Sequence, residues 1–267
     1  MNGKQFAPGV PRDEHGWILF PQRDSEWRKK LFPAEVSHHI AKANMHLIQA
    51  LVEHLTEPGD TILDPFGGTG TLLIARLMGR NVSLIELEPA FLGIIRDTTD
   101  KWWMDKPELI TGNTYGNVTL RTGDCRLVMP VFCDHVIFSP PYAQAMGKAG
   151  KKFTEYEDDK LYRGSMLNLG RLNPYLYTES MDAVYKLLAQ SVPPGGFVAV
   201  IIKDQMRGDS RIHLSEGATR SATRAGFELF EWHKWLPPGS SYQAIHKSQG
   251  HNVVQDEDIL IYRKPLL

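Results

Sequence analysis

The sequence predicts an α/β fold, a mostly parallel sheet covered by helices on both faces. Three observations predict it. Short, largely apolar β runs alternate with helical stretches through the first five strands. A glycine-rich turn follows the first run directly, at Asp64-Pro-Phe-Gly-Gly-Thr-Gly-Thr71. Polar residues stand where the next runs end, at Glu86, Asp124 and Ser139, along the edge where such sheets bind ligands.

Residues 1–37 read as an irregular N-terminal segment, because Pro8, Pro11, Pro21 and Pro33 interrupt any period. Within 41–55 the apolar residues fall at Met45, Leu47, Ile48, Leu51, Val52 and Leu55, the spacing of an amphipathic helix. Glu57-Pro-Gly-Asp makes a turn into a strand at 61–63. Further strands are expected at 82–85, 118–122, 135–138 and 197–202, with helices at 71–77, 90–101 and 181–191. Two more β runs, 228–232 and 259–263, close the chain. Residues 143–177 read as an insertion of weak periodicity.

A length of 267 residues suits one large α/β domain, and 1–267 is read as a single domain. With 42% hydrophobic and 23% charged residues, the composition is that of a globular protein. The net charge of −1 gives no global attraction to nucleic acid, so any such surface must be a local basic cluster. Cys125 and Cys133 form neither a disulfide framework nor a zinc set, which suits a reducing compartment. The first ten residues lack an apolar leader, and the apolar run Phe197–Ile202 is too short to span a bilayer. The expectation is a soluble, cytoplasmic protein. The histidines show no metal-ligand spacing, and no metal is expected.

In the turn after the first strand, glycines permit a tight bend and close approach of a bulky ligand. Amides at the following helix start favour a carboxylate or phosphate, and Asp64 offers charge to an ammonium group. A dinucleotide fingerprint would want a small residue at position 73, where leucine stands, and the Gly-Lys-Ser/Thr of a phosphate-binding loop is missing. Glu86 lies at the distance where a carboxylate meets ribose hydroxyls, with Glu88 a competitor for that role. Asp124 is placed to accept from the amino group of an adenine ring. Together these acids and the glycine turn outline a nucleoside site.

Ser139-Pro140-Pro141-Tyr142 follows the fourth strand. The prolines fix two φ angles and remove two donors, leaving rigid carbonyl acceptors. An exocyclic base amine is a poor nucleophile because its lone pair is delocalised into the ring. Acceptors aimed at its two N–H groups oppose that delocalisation, and Ser139 with the Pro140 carbonyl are suitable. The Tyr142 ring can stack on an extruded base. Taken alone, the four residues also fit an ordinary Pro-Pro turn.

These segments resemble the amino-methylating DNA methyltransferases, which modify cytosine-N4 or adenine-N6. Their cofactor motif Asp-Pro-Phe-x-Gly-x-Gly-Thr matches Asp64, Phe66, Gly68, Gly70 and Thr71, with Gly67 at the free position. Their catalytic motif Ser/Asp/Asn-Pro-Pro-Tyr/Phe matches Ser139 to Tyr142. Their His-Pro-x-x-Lys segment is echoed by His39-Ile-Ala-Lys42, where isoleucine replaces the proline, and their acid after strand two matches Glu86. The resemblance implies a Rossmann-like methyltransferase fold, seven strands with the C-terminal one antiparallel. It implies S-adenosylmethionine as cofactor, bound through Lys42, Asp64, Phe66, Gly67, Gly68, Gly70, Thr71, Glu86 and Asp124. It implies duplex DNA as partner, read with a flipped base. Serine at the first catalytic position is typical of cytosine-N4 enzymes, and aspartate or asparagine of adenine-N6 enzymes. Restriction-modification, regulation or a mobile element are possible settings.

The insertion carries Lys148, Lys151, Lys152, Tyr156, Tyr162 and Arg163, suited to phosphates and an extruded base, but four acids interrupt it and a solvated loop is the alternative. Lys203 and Asp204, after the fifth strand, also face the expected ligand edge, and residues 205–215 and 236–251 are further loops where specificity could reside, among them Arg207, Arg211, His246 and Lys247. Trp232 is read as sheet packing, with Trp235 left open between packing and a pocket wall. An RNA base methyltransferase of the same fold and a non-enzymatic cofactor-binding partner remain as rival functions.

Overall fold

A computed structural model describes residues 5–21, 23–38, 42–105, 115–141, 165, 167–237 and 247–266. Its centre is a seven-stranded sheet of order β3-β2-β1-β4-β5-β9-β8. The strands are β1 (Thr61–Asp64), β2 (Asn81–Glu86), β3 (Val118–Thr122), β4 (His135–Phe138), β5 (Phe197–Ile202), β8 (Glu228–Trp235) and β9 (Glu257–Arg263). Only β9 runs antiparallel, between β5 and β8. A separate hairpin pairs β6 (Gln205–Arg207) with β7 (Ser210–Ile212). This is the Rossmann-like order expected.

The inner strands are buried on both faces, so alternate residues enter two different cores. In β5, Phe197, Ala199 and Ile201 join one cluster, while Val198, Val200 and Ile202 join the other. Helix α2 (Met45–Leu55) packs on the first face through Leu47, Ile48, Leu51 and Leu55. Asn44 starts it by accepting the amides of His46 and Leu47. Helices α3 (Ile74–Leu77) and α4 (Pro89–Asp97) share that face. The second face takes α5 (Cys125–Val128), α6 (Pro174–Ser191) and α7 (Leu214–Arg224). No helix among the described residues is long and apolar enough to cross a membrane.

Four features depart from the sequence reading. The segment 1–37 is not wholly irregular: it holds α1 (Ser25–Leu31) and a 3-10 turn at Ala34–His38. Its earlier part lies along the sheet edge, where the Ile18 amide donates to the Lys234 carbonyl and the Leu236 amide to the Ile18 carbonyl. The helix expected at 71–77 opens as a 3-10 turn, Thr71–Leu73, before α3. Helix α6 starts seven residues before the expected 181, inside the stretch read as an insertion, because Asn173 caps it and Pro174 stands at its first position. Finally, 205–215 is an anchored hairpin and the start of α7, not an open loop.

The edge segment is part of the core. Phe6 is buried, stacks on His233 at 4.9 Å and meets His54 edge-on at 5.3 Å. Replacing Phe6 with alanine is expected to cost about 3–5 kcal/mol in urea denaturation. A loss below about 1 kcal/mol, the surface-substitution range, would show that this segment merely lies on the sheet.

Candidate active site

Strands β1 and β4 pair in parallel, Ile62 opposite His135 and Leu63 opposite Val136. The chain leaves β1 towards β2 on one side and returns to β4 on the other. This is the point where an open α/β sheet leaves a crevice at its carboxyl edge. One cleft there is lined by Lys42, Asp64, Phe66, Gly67, Gly68, Thr71, Glu86 and Asp124, and also by Ser139, Pro140 and Pro141. The glycine turn and the proline motif therefore face a shared space. Tyr142 lies outside the described residues, as do His39 and the basic and aromatic residues between 143 and 164.

The turn is folded by its own polar groups. The Phe66 amide donates to Asp64 Oδ1 at 2.8 Å, and the Gly67 amide to the Ile85 carbonyl at 2.9 Å. The Gly68 amide donates to Glu86 Oε2 at 2.6 Å, and Gly68 holds a φ of 52°. Gly70 stands behind the cleft rather than on it. Its φ is 82°, and a Cβ there would meet Leu73 Cδ1 at 2.9 Å and Ile95 Cγ1 at 3.2 Å. Its role is close packing of turn against helix. The Phe66 ring contacts Phe138 at 5.7 Å, so the last residue of β4 buttresses the turn after β1.

The acids differ in what already binds them. Asp64 has one oxygen held by the Phe66 amide, and Oδ2 has no hydrogen bond among the described residues. Burial and then the nearby Glu86 push its carboxyl up to about 7, against the Phe66 amide, which lowers it. Burial likewise pushes Glu86 up to about 7, although amides of Glu88 and Gly68 hold both its oxygens. Asp124 caps α5 and binds Arg126 through both oxygens, at 3.0 Å and 2.5 Å. Any ring amine would share that carboxylate with the guanidinium. Glu88 is taken by the Asn168 amide group at 2.9 Å and the Ser165 amide at 3.2 Å. It thus ties the segment leading into α6 over the cleft, where Asn168 and Leu169 also line the wall.

Arg28 and the Glu88 tie went unread in the sequence. Arg28 on α1 is buried and donates to Thr71 Oγ1 at 3.1 Å and to the Ala43 carbonyl at 2.8 Å. Asp24 sits four residues before it, a legible helical ion pair, but nothing in the sequence says that the pair is buried against the cleft. Among the described residues there is no cluster of side chains suited to a metal ion.

Of the residues read as DNA contacts, Arg211 is held by Asp204 at 2.8 Å and Asp256 at 2.8 Å, while Arg207 and Lys247 are exposed. Asp204 is buried and also binds the Ser215 amide and hydroxyl at the start of α7. Burial raises Asp256, but Arg211 and Lys234 outweigh it and hold the carboxyl at about 2. Trp232 is 41% exposed rather than packed, tethered by its Nε1 to Asp258. Trp235 is the packed one, with Nε1 on Glu257.

A family model described as DNA methylase, N6_N4_Mtase, matches residues 12–97. Type II methyltransferase M.BglI of Bacillus subtilis is 36% identical over 69 residues, 26% of this chain and 20% of that protein. The chain thus aligns with only a fifth of the curated relative's length. Among solved structures, TrmN from Thermus thermophilus aligns with a TM-score of 0.51 at 16% identity, covering 89% of this chain and 52% of that one. A SAM-dependent methyltransferase from Methanosarcina mazei aligns with a TM-score of 0.52 at 11% identity, covering 81% of this chain and 98% of that one. At such identities the structural likeness speaks to the fold. The match across 12–97 takes in the glycine turn and β2, and over that part the chain is similar to the N6/N4 DNA methylases, as it is over 69 residues to M.BglI.

Proposed function

We propose that the chain transfers a methyl group from S-adenosylmethionine to the exocyclic amine of a DNA base, with cytosine-N4 the favoured target. One observation carries this reading: Ser139, Pro140 and Pro141 open on the same cleft as the glycine turn. That shared cleft allows an amine and a methyl donor to meet in line. When bound, S-adenosylmethionine supplies an electrophilic methyl group on a sulfonium.

The residues present fit that cofactor. Asp64 offers an oxygen without a partner among the described residues to the ammonium of the amino-acid tail. Glu86 keeps its remaining lone pairs for ribose hydroxyls, beyond the two amides it already holds. Gly67 and Gly68 let the ligand approach the backbone. On the substrate side, Ser139 and the Pro140 carbonyl accept the two amine hydrogens, which turns the lone pair outwards. Tyr142 stacks on the extruded base. The chain acts as one domain over 1–267, and the stretch 143–177, which runs into the first turn of α6, contacts the DNA. The setting is the cytoplasm.

Cytosine-N4 is favoured over adenine-N6 because a neutral serine, not a carboxylate or amide, stands first in the motif. Nucleosides released from duplex DNA treated with the protein should contain N4-methylcytosine by mass spectrometry. N6-methyladenine instead would reverse the choice, and methylation of RNA alone would sink the DNA reading. Tyr142→Ala should cut methyl transfer at least ~100-fold, within the range lost with a positioning contact, while cofactor affinity stays within about twofold. Unchanged turnover would remove the stacking role.

Cofactor binding should also depend on pH. Asp64, at about 7, is ionised above that pH and neutral below it. Only the ionised form attracts the ammonium, so affinity should fall about tenfold from pH 8 to pH 6 in calorimetry. Asp64→Asn should weaken binding at pH 8 and flatten the profile. A wild-type affinity that is constant across this range would exclude Asp64 as the ammonium partner.

A further inference from the structure

Arg28 reaches the cleft wall from behind. Its Nη1 donates to Thr71 Oγ1 at 3.1 Å, and its Nη2 to Asp24 Oδ2 at 2.6 Å and the Ala43 carbonyl at 2.8 Å. The guanidinium also lies over the Phe32 ring, 5.9 Å from its centre. Asp24 Oδ2 accepts the Met45 amide as well, so α1, the start of α2 and the glycine turn are joined at one point. Thr71 and Ala43 line the cleft. Arg28 Nε is buried and has no acceptor among the described residues.

A threonine hydroxyl has one hydrogen to give and lone pairs to receive, whereas a guanidinium only donates. Thr71 therefore cannot return a hydrogen to Arg28. Among the described residues no acceptor takes that hydrogen. Its remaining direction is the cleft. Donation from a cation polarises the hydroxyl and strengthens it as a donor, and burial keeps water from screening the effect. The acceptor that suits such a donor is an anion.

We propose that Arg28 is a positioning residue that aims the Thr71 hydroxyl at the carboxylate of the cofactor's amino-acid tail. This rests on the S-adenosylmethionine reading of the cleft and assigns that tail a second contact beside Asp64. Arg28 acts through Thr71 and by its charge, not by touching the ligand.

Two probes separate this role from a structural one. S-adenosylhomocysteine and 5′-methylthioadenosine share the nucleoside and a neutral sulfur, but only the first carries the carboxylate. In calorimetry, Arg28→Met and Thr71→Val should each weaken S-adenosylhomocysteine by about tenfold or more. Both should leave 5′-methylthioadenosine within about twofold. Thr71→Ser should restore wild-type affinity for both, and the double variant should bind no more weakly than the weaker single one. Equal losses for the two probes, additive losses, or no loss would overturn the proposal. If Arg28→Met does not fold, Thr71→Val against Thr71→Ser decides it on the same criteria. Wild-type protein that binds neither probe would overturn the reading of the cleft, and this inference with it.

Discussion

The parallel pairing of β1 with β4 is the constraint on which the site depends. Ile62 against His135 and Leu63 against Val136 bring Asp64 and Ser139 to one edge, although the sequence separates them by two further strands. Because the chain leaves β1 in one direction and re-enters beside it from the other, a gap opens between the two strand ends, and no helix of the described residues fills it. The Phe66 and Phe138 rings then set the spacing of the two motifs. The cleft is a product of topology first, and of side-chain chemistry second.

Around that gap the protein holds its acids in different states. Asp64 has an oxygen that no described residue takes, Glu86 is held by amides, Asp124 is paired with Arg126, and Glu88 is tied to Asn168. A motif reading gives Glu86 and Asp124 to the nucleoside and Asp64 to an ammonium group, with Glu88 a competitor of Glu86. The hydrogen bonds divide them into groups that face the cleft and groups that hold its walls. Burying carboxylates is unfavourable, and the upward shift of Asp64 and Glu86 expresses chiefly that loss of hydration, with a lesser share from the neighbouring acid.

Much of the sheet was legible in the sequence because its strands are short apolar runs bounded by turns. β3, β4 and β5 fall at the residues expected, 118–122, 135–138 and 197–202. Helix α7 was not legible, because its buried stripe is Ser215, Ala218, Ser221 and Ala222, small residues that pack closely without reading as apolar. α1 was hidden by the prolines around it. At the site, the residues that follow strands could be read from position alone. Arg28, Arg126 and the Glu88 tie could not, since their partners lie far away in sequence or act through burial. Trp232, read as packing, is exposed and Trp235, left open, is buried; a register shift between Leu229 and Glu231 breaks the simple alternation of β8 before either ring, and the sequence pattern gives no sign of it.

The edge strand bears on the order of events during synthesis. Ile18 pairs with Lys234 and Leu236, partners that lie almost a full chain length away. The segment around Ile18 thus has no docking edge until β8 has been made. Contacts of such long range form late and close large loops. The contacts of Arg28 with Asp24, Ala43 and Thr71 need none of β8, so the wall of the cleft can close while the segment that precedes α1 still waits for its partner.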